Sequence, residues 1–214
     1  MKSYPLLGVG VSTPTLELRS ATDELLDELA QAVRAGKTRA EPPPYDDPMS
    51  FYEKEPDLRV ANWLRAIWRG RGRVEPEFWR LYFVVVVDGR PVGEQTLSGV
   101  DFATLGTVTT FSWLSADLRG RGLGREMREA VLHLAFDGLG AKEAASDAFV
   151  DNEGSNAVSR GLGYEPNGSE WATRQGQAAL LNRWRLTREA WEPRRRDDVR
   201  LHGVDACHAL LPLS

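Results

Sequence analysis

One cysteine, Cys207, and three histidines are all this 214-residue chain offers toward disulfides or zinc sites. A lone cysteine closes no bridge within the chain, and the histidines lack metal-ligand spacing, so no metal is expected. No apolar run approaches membrane-spanning length, and the N-terminal MKSYPLLGVGVSTP lacks the layout of a signal peptide. An excess of positive charge is also missing. The formal net charge is −4, and the one basic run, Arg194 to Arg196, meets Asp197 and Asp198 at once. These gaps argue against a nucleic-acid surface, a membrane protein and a disulfide scaffold. A cytoplasmic, bacterial-type protein is expected.

What remains is ordinary: 42% hydrophobic and 27% charged residues, enough chain for one domain with a full core. The expected organisation is one domain over 1–214, with a C-terminal extension from about 193. TLELRS (15–20) alternates as a short strand. Ser20-Ala-Thr-Asp23 offers a capping box for a helix carrying Leu25, Leu26, Leu29 and Val33, which stops near Gly36. EPPPYDDP (41–48) cannot be helical; it is either a substrate-facing loop or a rigid connector. A second helix spans Asp57 to Arg71, where Trp63 and Trp68 either wall a pocket or fill the core. RGRGR (69–73) lacks a strand–turn–helix context and reads as a helix end. LYFVVVV (81–87) is the strongest strand, Asp88-Gly89 a hairpin turn, and 90–98 the returning strand. Further strands are expected at 107–115, 143–150, 171–174 and 178–186. Short helices should follow Asn152 and Thr187.

The organising stretch is Leu118 to Phe136, LRGRGLGREMREAVLHLAF. Glycines at 120, 122 and 124 precede an apolar stripe, Leu123, Met127, Ala130, Val131, Leu134 and Ala135, which is one face of a helix. His133 lies opposite that stripe and should be exposed. A glycine turn between a strand and a helix N-terminus suits a phosphate, because unpaired N–H groups and the positive dipole end meet there. The turn could also serve only to join strand to helix. A nucleotide P-loop would need Lys-Ser/Thr where Arg125-Glu126 stands, and the dinucleotide G-x-G-x-x-G is not matched. The sequence does match Arg/Gln-x-x-Gly-x-Gly/Ala through Arg119, Gly122 and Gly124. Downstream, Asn152 opens a helix that Leu162-Gly163-Tyr164 closes.

On these two motifs the chain resembles the GNAT acyltransferase superfamily over about residues 15–190. The nearest branch is that of ribosomal-protein N-terminal acetyltransferases and actinobacterial succinyltransferase-like members. The resemblance implies an α+β, three-layer fold: a mixed, mostly antiparallel sheet of about seven strands, splayed between the fourth and fifth, with helices on both faces. It implies acetyl-CoA or succinyl-CoA as cosubstrate. The pyrophosphate would lie on Arg119, Gly120, Arg121, Gly122, Leu123, Gly124 and Arg125. The pantetheine arm would run beside Trp113, Leu114 and Ser115, with Asn152 and Ser155 contributing, and Asn152 holding an amide. An amine would attack the thioester directly in a ternary complex. The amine would be a peptide or protein N-terminus or a small amine. Many relatives carry a tyrosine seven residues after the asparagine; here Ser159 stands there, and its hydroxyl either serves the leaving thiolate or simply packs. The fourth strand lacks a carboxylate, so Glu94 and Asp101 are the base candidates, or else plain surface charges. A non-catalytic CoA-binding protein of the same fold is the alternative. A homodimer through tryptophan-rich segments and the tail is also compatible with the sequence.

Overall fold

The N-terminal run that the sequence reading left unassigned opens as a strand, β1 (Gly10–Ser12), which pairs antiparallel with β2 (Glu17–Ser20). The computed structural model describes residues 3–37, 41–47 and 50–213. Helix α1 (Asp23–Arg34) follows, and its cap differs from expectation. Thr22, not Ser20, accepts the N–H of Leu25, at 3.4 Å. The Ser20 hydroxyl instead donates to the carbonyls of Leu6 and Val9, tying β2 to the N-terminal segment. Helix α2 (Pro56–Arg71) begins on a proline, whose missing N–H costs nothing there.

Short β3 (Val74–Glu75) pairs only with β4 (Phe78–Val87), which returns through Asp88 and Gly89, both at positive φ, as β5 (Arg90–Val100). Val85 opposes Gly93 while Val86 opposes Pro91, so Val92 bulges from β5. The Val92 carbonyl then accepts the N–H of Ser115, pinning the end of the next strand. One turn of helix, α3 (Phe102–Leu105), leads into β6 (Thr107–Leu114). After the glycine turn come α4 (Leu123–His133), a wider helical turn over Leu134–Gly138, and β7 (Glu143–Phe149). Helix α5 (Glu153–Gly161) precedes the hairpin β8 (Glu165–Arg174) and β9 (Gln177–Thr187). Helix α6 (Arg188–Trp191), β10 (Arg200–His202) and α7 (Val204–Leu210) complete the chain.

The sheet runs β10-β1-β2-β4-β5-β6-β7-β9-β8, with β3 on β4. It is mixed and mostly antiparallel with helices on both faces, as expected, but has ten strands among the described residues rather than about seven. The additions are β1, β3 and β10. The tail supplies β10, which covers β1 through Gly10↔His202 and Ser12↔Arg200. Helices α1 and α2 cover one face over Leu26, Leu29, Val33, Val60, Trp63, Ile67, Val84 and Val86. Helix α4 covers the other through Met127, Ala130 and Val131, beside Phe83, Leu97 and Val108.

The one parallel pairing among the described residues positions the site. Strands β6 and β7 pair only from Thr107↔Glu143 to Thr109↔Ala145. Beyond that point β6 stays on β5 to Leu114 and β7 stays on β9 to Phe149. The sheet therefore opens as a V toward the glycine turn.

Candidate functional site

At the top of the V, Gly120 and Gly122 have φ of 74° and 81°, a region that favours glycine, and a Cβ at either would meet nothing. The backbone N–H groups from Gly120 to Gly124 donate to no protein acceptor among the described residues. They face outward at the N-terminus of α4, where the helix dipole is positive. Arg119 and Arg121 flank them, and Arg125 sits on the first turn, its Nε 3.0 Å from Glu129. This cradle fits a pyrophosphate. The free edge of β6 beside Trp113, Leu114 and Ser115 fits an extended arm bearing amides. Together they suit a ligand that joins a pyrophosphate to an extended arm bearing amides.

Asn152 is already engaged at both ends. Its Oδ1 accepts the Ser155 N–H at 3.1 Å as the cap of α5, and its Nδ2 donates to the Pro44 carbonyl at 3.0 Å. Each atom keeps capacity for one more hydrogen bond. A residue the sequence reading passed over, Asn156, holds this corner. It donates to the carbonyls of Phe149 and Asn152 and accepts from Trp184 Nε1 and Asn182 Nδ2. Ser159, one helical turn on, is fully buried, and its hydroxyl has no partner among the described residues.

On the α1/α2 face, Glu94 lies opposite Trp113 across β5 and β6. It is buried, and its Oε2 accepts both indole N–H groups, from Trp63 at 2.9 Å and Trp113 at 3.0 Å. Among the described residues its Oε1 accepts no hydrogen bond. The two tryptophans of α2 thus divide: Trp63 is buried on Glu94, whereas Trp68 is half-exposed and bonded to Asp23. Asp101 is not brought to the site. It is exposed at the far end of β5, with φ 45°, leading into α3 at the closed end of the V. An acidic residue just past a strand carried no signal as to which end of the sheet it would occupy.

The proline-rich segment crosses this face, which favours a site-facing loop over a bare connector; its Pro48 lies outside the described residues. Tyr45 sets its ring edge-on to Phe111 of β6, centroids 5.0 Å apart, and its hydroxyl is buried and unpartnered. Burial first, then the charges of Asp47 and Glu94, hold that phenol well above its usual pKa. Asp47 pairs with buried Lys37 at 3.0 Å. Burial pushes the Asp47 carboxyl up, but Lys37 and Ser50 outweigh it and leave the pKa below the usual value. The segment also reaches the β8–β9 turn, where Asp46 accepts the Gln175 N–H. It straps the V from one arm to the other.

Beneath the V, on the opposite face, lies Arg128 of α4, 4% exposed. Its Nη1 donates to Ser146 Oγ at 2.9 Å, its Nε has no partner, and no described carboxylate lies within 4.0 Å. Thr110 and Ser146 stand just past the last β6–β7 pair, on either arm. Tyr164 is buried beside them, and burial raises its pKa. Arg128 and Thr110 lie close enough to temper that rise, without a hydrogen bond of normal geometry to its hydroxyl.

His133 corrects an expectation. It is buried, not exposed, because the segment after α6 covers that side of α4: Trp191 packs on the ring and the Arg196 N–H donates to Nε2 at 3.2 Å.

A sheet split over a glycine turn at a helix N-terminus, with a buried carboxylate on one side, has the shape and charge to suit an extended, phosphate-bearing ligand. Residues 15–165 match the acetyltransferase (GNAT) domain family, and the chain belongs to it. Its fold is similar to that of Mycobacterium smegmatis RimJ in complex with CoA-disulfide, with TM-score 0.71, 18% identity, and 94% of this chain and 93% of that one covered. RimL, the ribosomal L7/L12 α-N-protein acetyltransferase in complex with coenzyme A, gives 0.63 at 18% identity, covering 83% and 97%. The ribosomal-protein-S5-alanine acetyltransferase of Vibrio fischeri gives 0.63 at 16%, covering 85% and 98%.

Proposed function

We propose that this protein is an acyl-CoA-dependent N-acyltransferase that moves an acetyl or succinyl group onto a primary amine by direct attack. The observation that carries the reading is the run of unaccepted N–H groups from Gly120 to Gly124 at the mouth of the open V. Coenzyme A supplies a thioester, whose carbonyl carbon an amine can attack. Around it, Gly120 to Gly124 hold the pyrophosphate, with Arg119 and Arg125 beside them, and β6 at Trp113 to Ser115 aligns the arm. Ser155 sits on the first turn of α5, next to the same opening.

Glu94 is the base. Its Oε2 is fixed by two indoles, which leaves Oε1 to take the proton of the incoming amine. An α-amine, of ordinary pKa ~8 against ~10.4 for lysine, makes that step easier. Ser159 donates a hydrogen bond to the departing thiolate, which takes its proton from solvent; a buried hydroxyl with no partner among the described residues is free to make that bond. The acceptor is the α-amine of a peptide or protein, the class named for RimL.

Arg128 bears on the acyl group. Burying an unpaired guanidinium is costly, and the carboxylate of a succinyl chain would relieve it at the apex of the V. Mass spectrometry of a peptide acylated from an equimolar mixture of acetyl-CoA and succinyl-CoA tests the function and the donor together. A mass gain on the N-terminus supports the enzyme. Tight CoA binding without transfer to any amine favours the non-catalytic reading, in which the strap over the V stays shut.

A further inference from the structure

Beside the glycine turn is a second recess that neither the pyrophosphate nor the amine needs. It measures about 300 Å³ and is lined by Arg125, Leu132, Leu162, Trp191, Arg194 and Glu129, among others. We propose that it seats the adenosine end of coenzyme A, and that Arg194, from the segment leading into the C-terminal extension, holds the 3′-phosphate together with Arg125. The proposal rests on the CoA reading above.

The recess joins the turn directly, because Arg125 belongs to both. Its walls are apolar where a purine would lie, formed by Leu132, Leu162 and Trp191, and cationic at the rim. The cations around it are not equivalent. Arg196 is bonded to Glu129 and Asp198, and Arg195 to Asp137. Glu129 is shared between Arg125 and Arg196. Arg194 has no ion pair or hydrogen bond among the described residues, yet it is held in place. Its guanidinium lies over Gly163, where a Cβ would come within 2.5 Å of Nε and 3.1 Å of Nη2. Gly163 is therefore required twice, for its φ of 84° and for the room Arg194 occupies. Arg125 reaches the same helix end, its Nη1 3.7 Å from where a Gly161 Cβ would be. His133 on the floor adds no charge, since both ring nitrogens are engaged and burial keeps it neutral. The result is a positive rim on which Glu129, Asp137 and Asp198 are each engaged by arginines other than Arg194, which leaves Arg194 for a phosphate dianion.

The competing account is that the two arginines merely face the negative C-terminal end of α5. Calorimetric titration of the full chain with CoA and with dephospho-CoA, which lacks only the 3′-phosphate, separates them. The wild type should bind CoA at least tenfold more tightly. Arg194→Ala should bring CoA to the dephospho-CoA value and leave dephospho-CoA unchanged, while Arg194→Lys keeps part of the preference. Adenosine 3′,5′-bisphosphate should compete better than adenosine 5′-phosphate. Equal binding of both coenzymes by the wild type overturns the seat, as does an Arg194→Ala variant that weakens both alike. Binding of neither coenzyme at millimolar concentration instead removes the CoA reading, and the seat with it.

Discussion

Replacing Glu94 with glutamine removes a charge and a base while keeping the shape. Both indole N–H groups now donate to one oxygen, Glu94 Oε2. The glutamine carbonyl can accept both, so neither indole is stranded. Hydrogen bonds to a charged group contribute about 1.5–3 kcal/mol each and neutral ones about 1, so the stability loss over the two bonds is bounded near 1–4 kcal/mol. Relief from burying a charge offsets part of it. In a chain of this size about 1 kcal/mol moves Tm by about 2–4 °C, so Glu94→Gln should fold and melt within several degrees of the wild type. Its kcat/KM should fall by about 10²–10⁴, the usual contribution of a general base. Glu94→Ala behaves differently. It leaves two buried indole donors unpaired, at about 1–3 kcal/mol each, and should lower Tm visibly more. Steady-state kinetics with a peptide acceptor, run beside thermal melting, read both effects. A Glu94→Gln enzyme within threefold of wild-type kcat/KM refutes the role of Glu94 as base and leaves it a scaffold for Trp63 and Trp113.

Other expectations follow from the same geometry. Gly122→Val places a branched side chain at φ 81° and against the anion cradle; it should weaken CoA binding more than tenfold while costing stability about 1–3 kcal/mol, readable by calorimetry and melting. Arg128→Met, which removes an unpaired buried charge, should raise Tm or leave it unchanged and abolish any preference for succinyl-CoA over acetyl-CoA; a fall of many degrees would mean the arginine is structural. His133 has a folded pKa below its unfolded value because it is buried, so its contribution to stability is full above about pH 6.5 and is lost as pH falls toward the folded pKa. Melting between pH 7.5 and 5 should show that loss, and His133→Gln should flatten it. Cys207 is buried and its thiol is pushed up to about 12, so the folded protein should resist alkylation at pH 8 until denatured.

Much of the frame was written in local patterns. The alternating or unbroken apolar runs of β4 and β6, the Asp88-Gly89 turn and the stripe of α4 are short-range signals, and each element lies where its residues place it. The glycine turn was legible for the same reason, since glycines at 120 and 122 mark positive φ and the structure has it at both. What escaped depended on distant partners. Strand β10 exists because β1 needs an edge partner, and no local run of apolar residues announces it. Strand β8 is anticipated by the sequence only at 171–174; its earlier residues, 165–170, are exposed and lack a burial pattern to read. His133 looked exposed on its own helix and is buried by residues some sixty positions later. The bond from Asn152 to Pro44 and the strap it anchors join segments more than a hundred residues apart. Arg128 sat among helix charges with nothing to mark it, until the parting of β6 and β7 left it beneath the gap.

Calorimetric titration of acetyl-CoA into the wild type and the Gly122→Val variant tests the central claim most directly, because the V and its N–H cradle exist for that ligand or not at all. The account predicts one site on the wild type, with a tenfold or greater loss in the variant. Bound at a hundredfold over Kd, the ligand should also stabilise the fold by about 2.7 kcal/mol. No heat and no shift in Tm at millimolar acetyl-CoA, or equal binding by the variant, would contradict it.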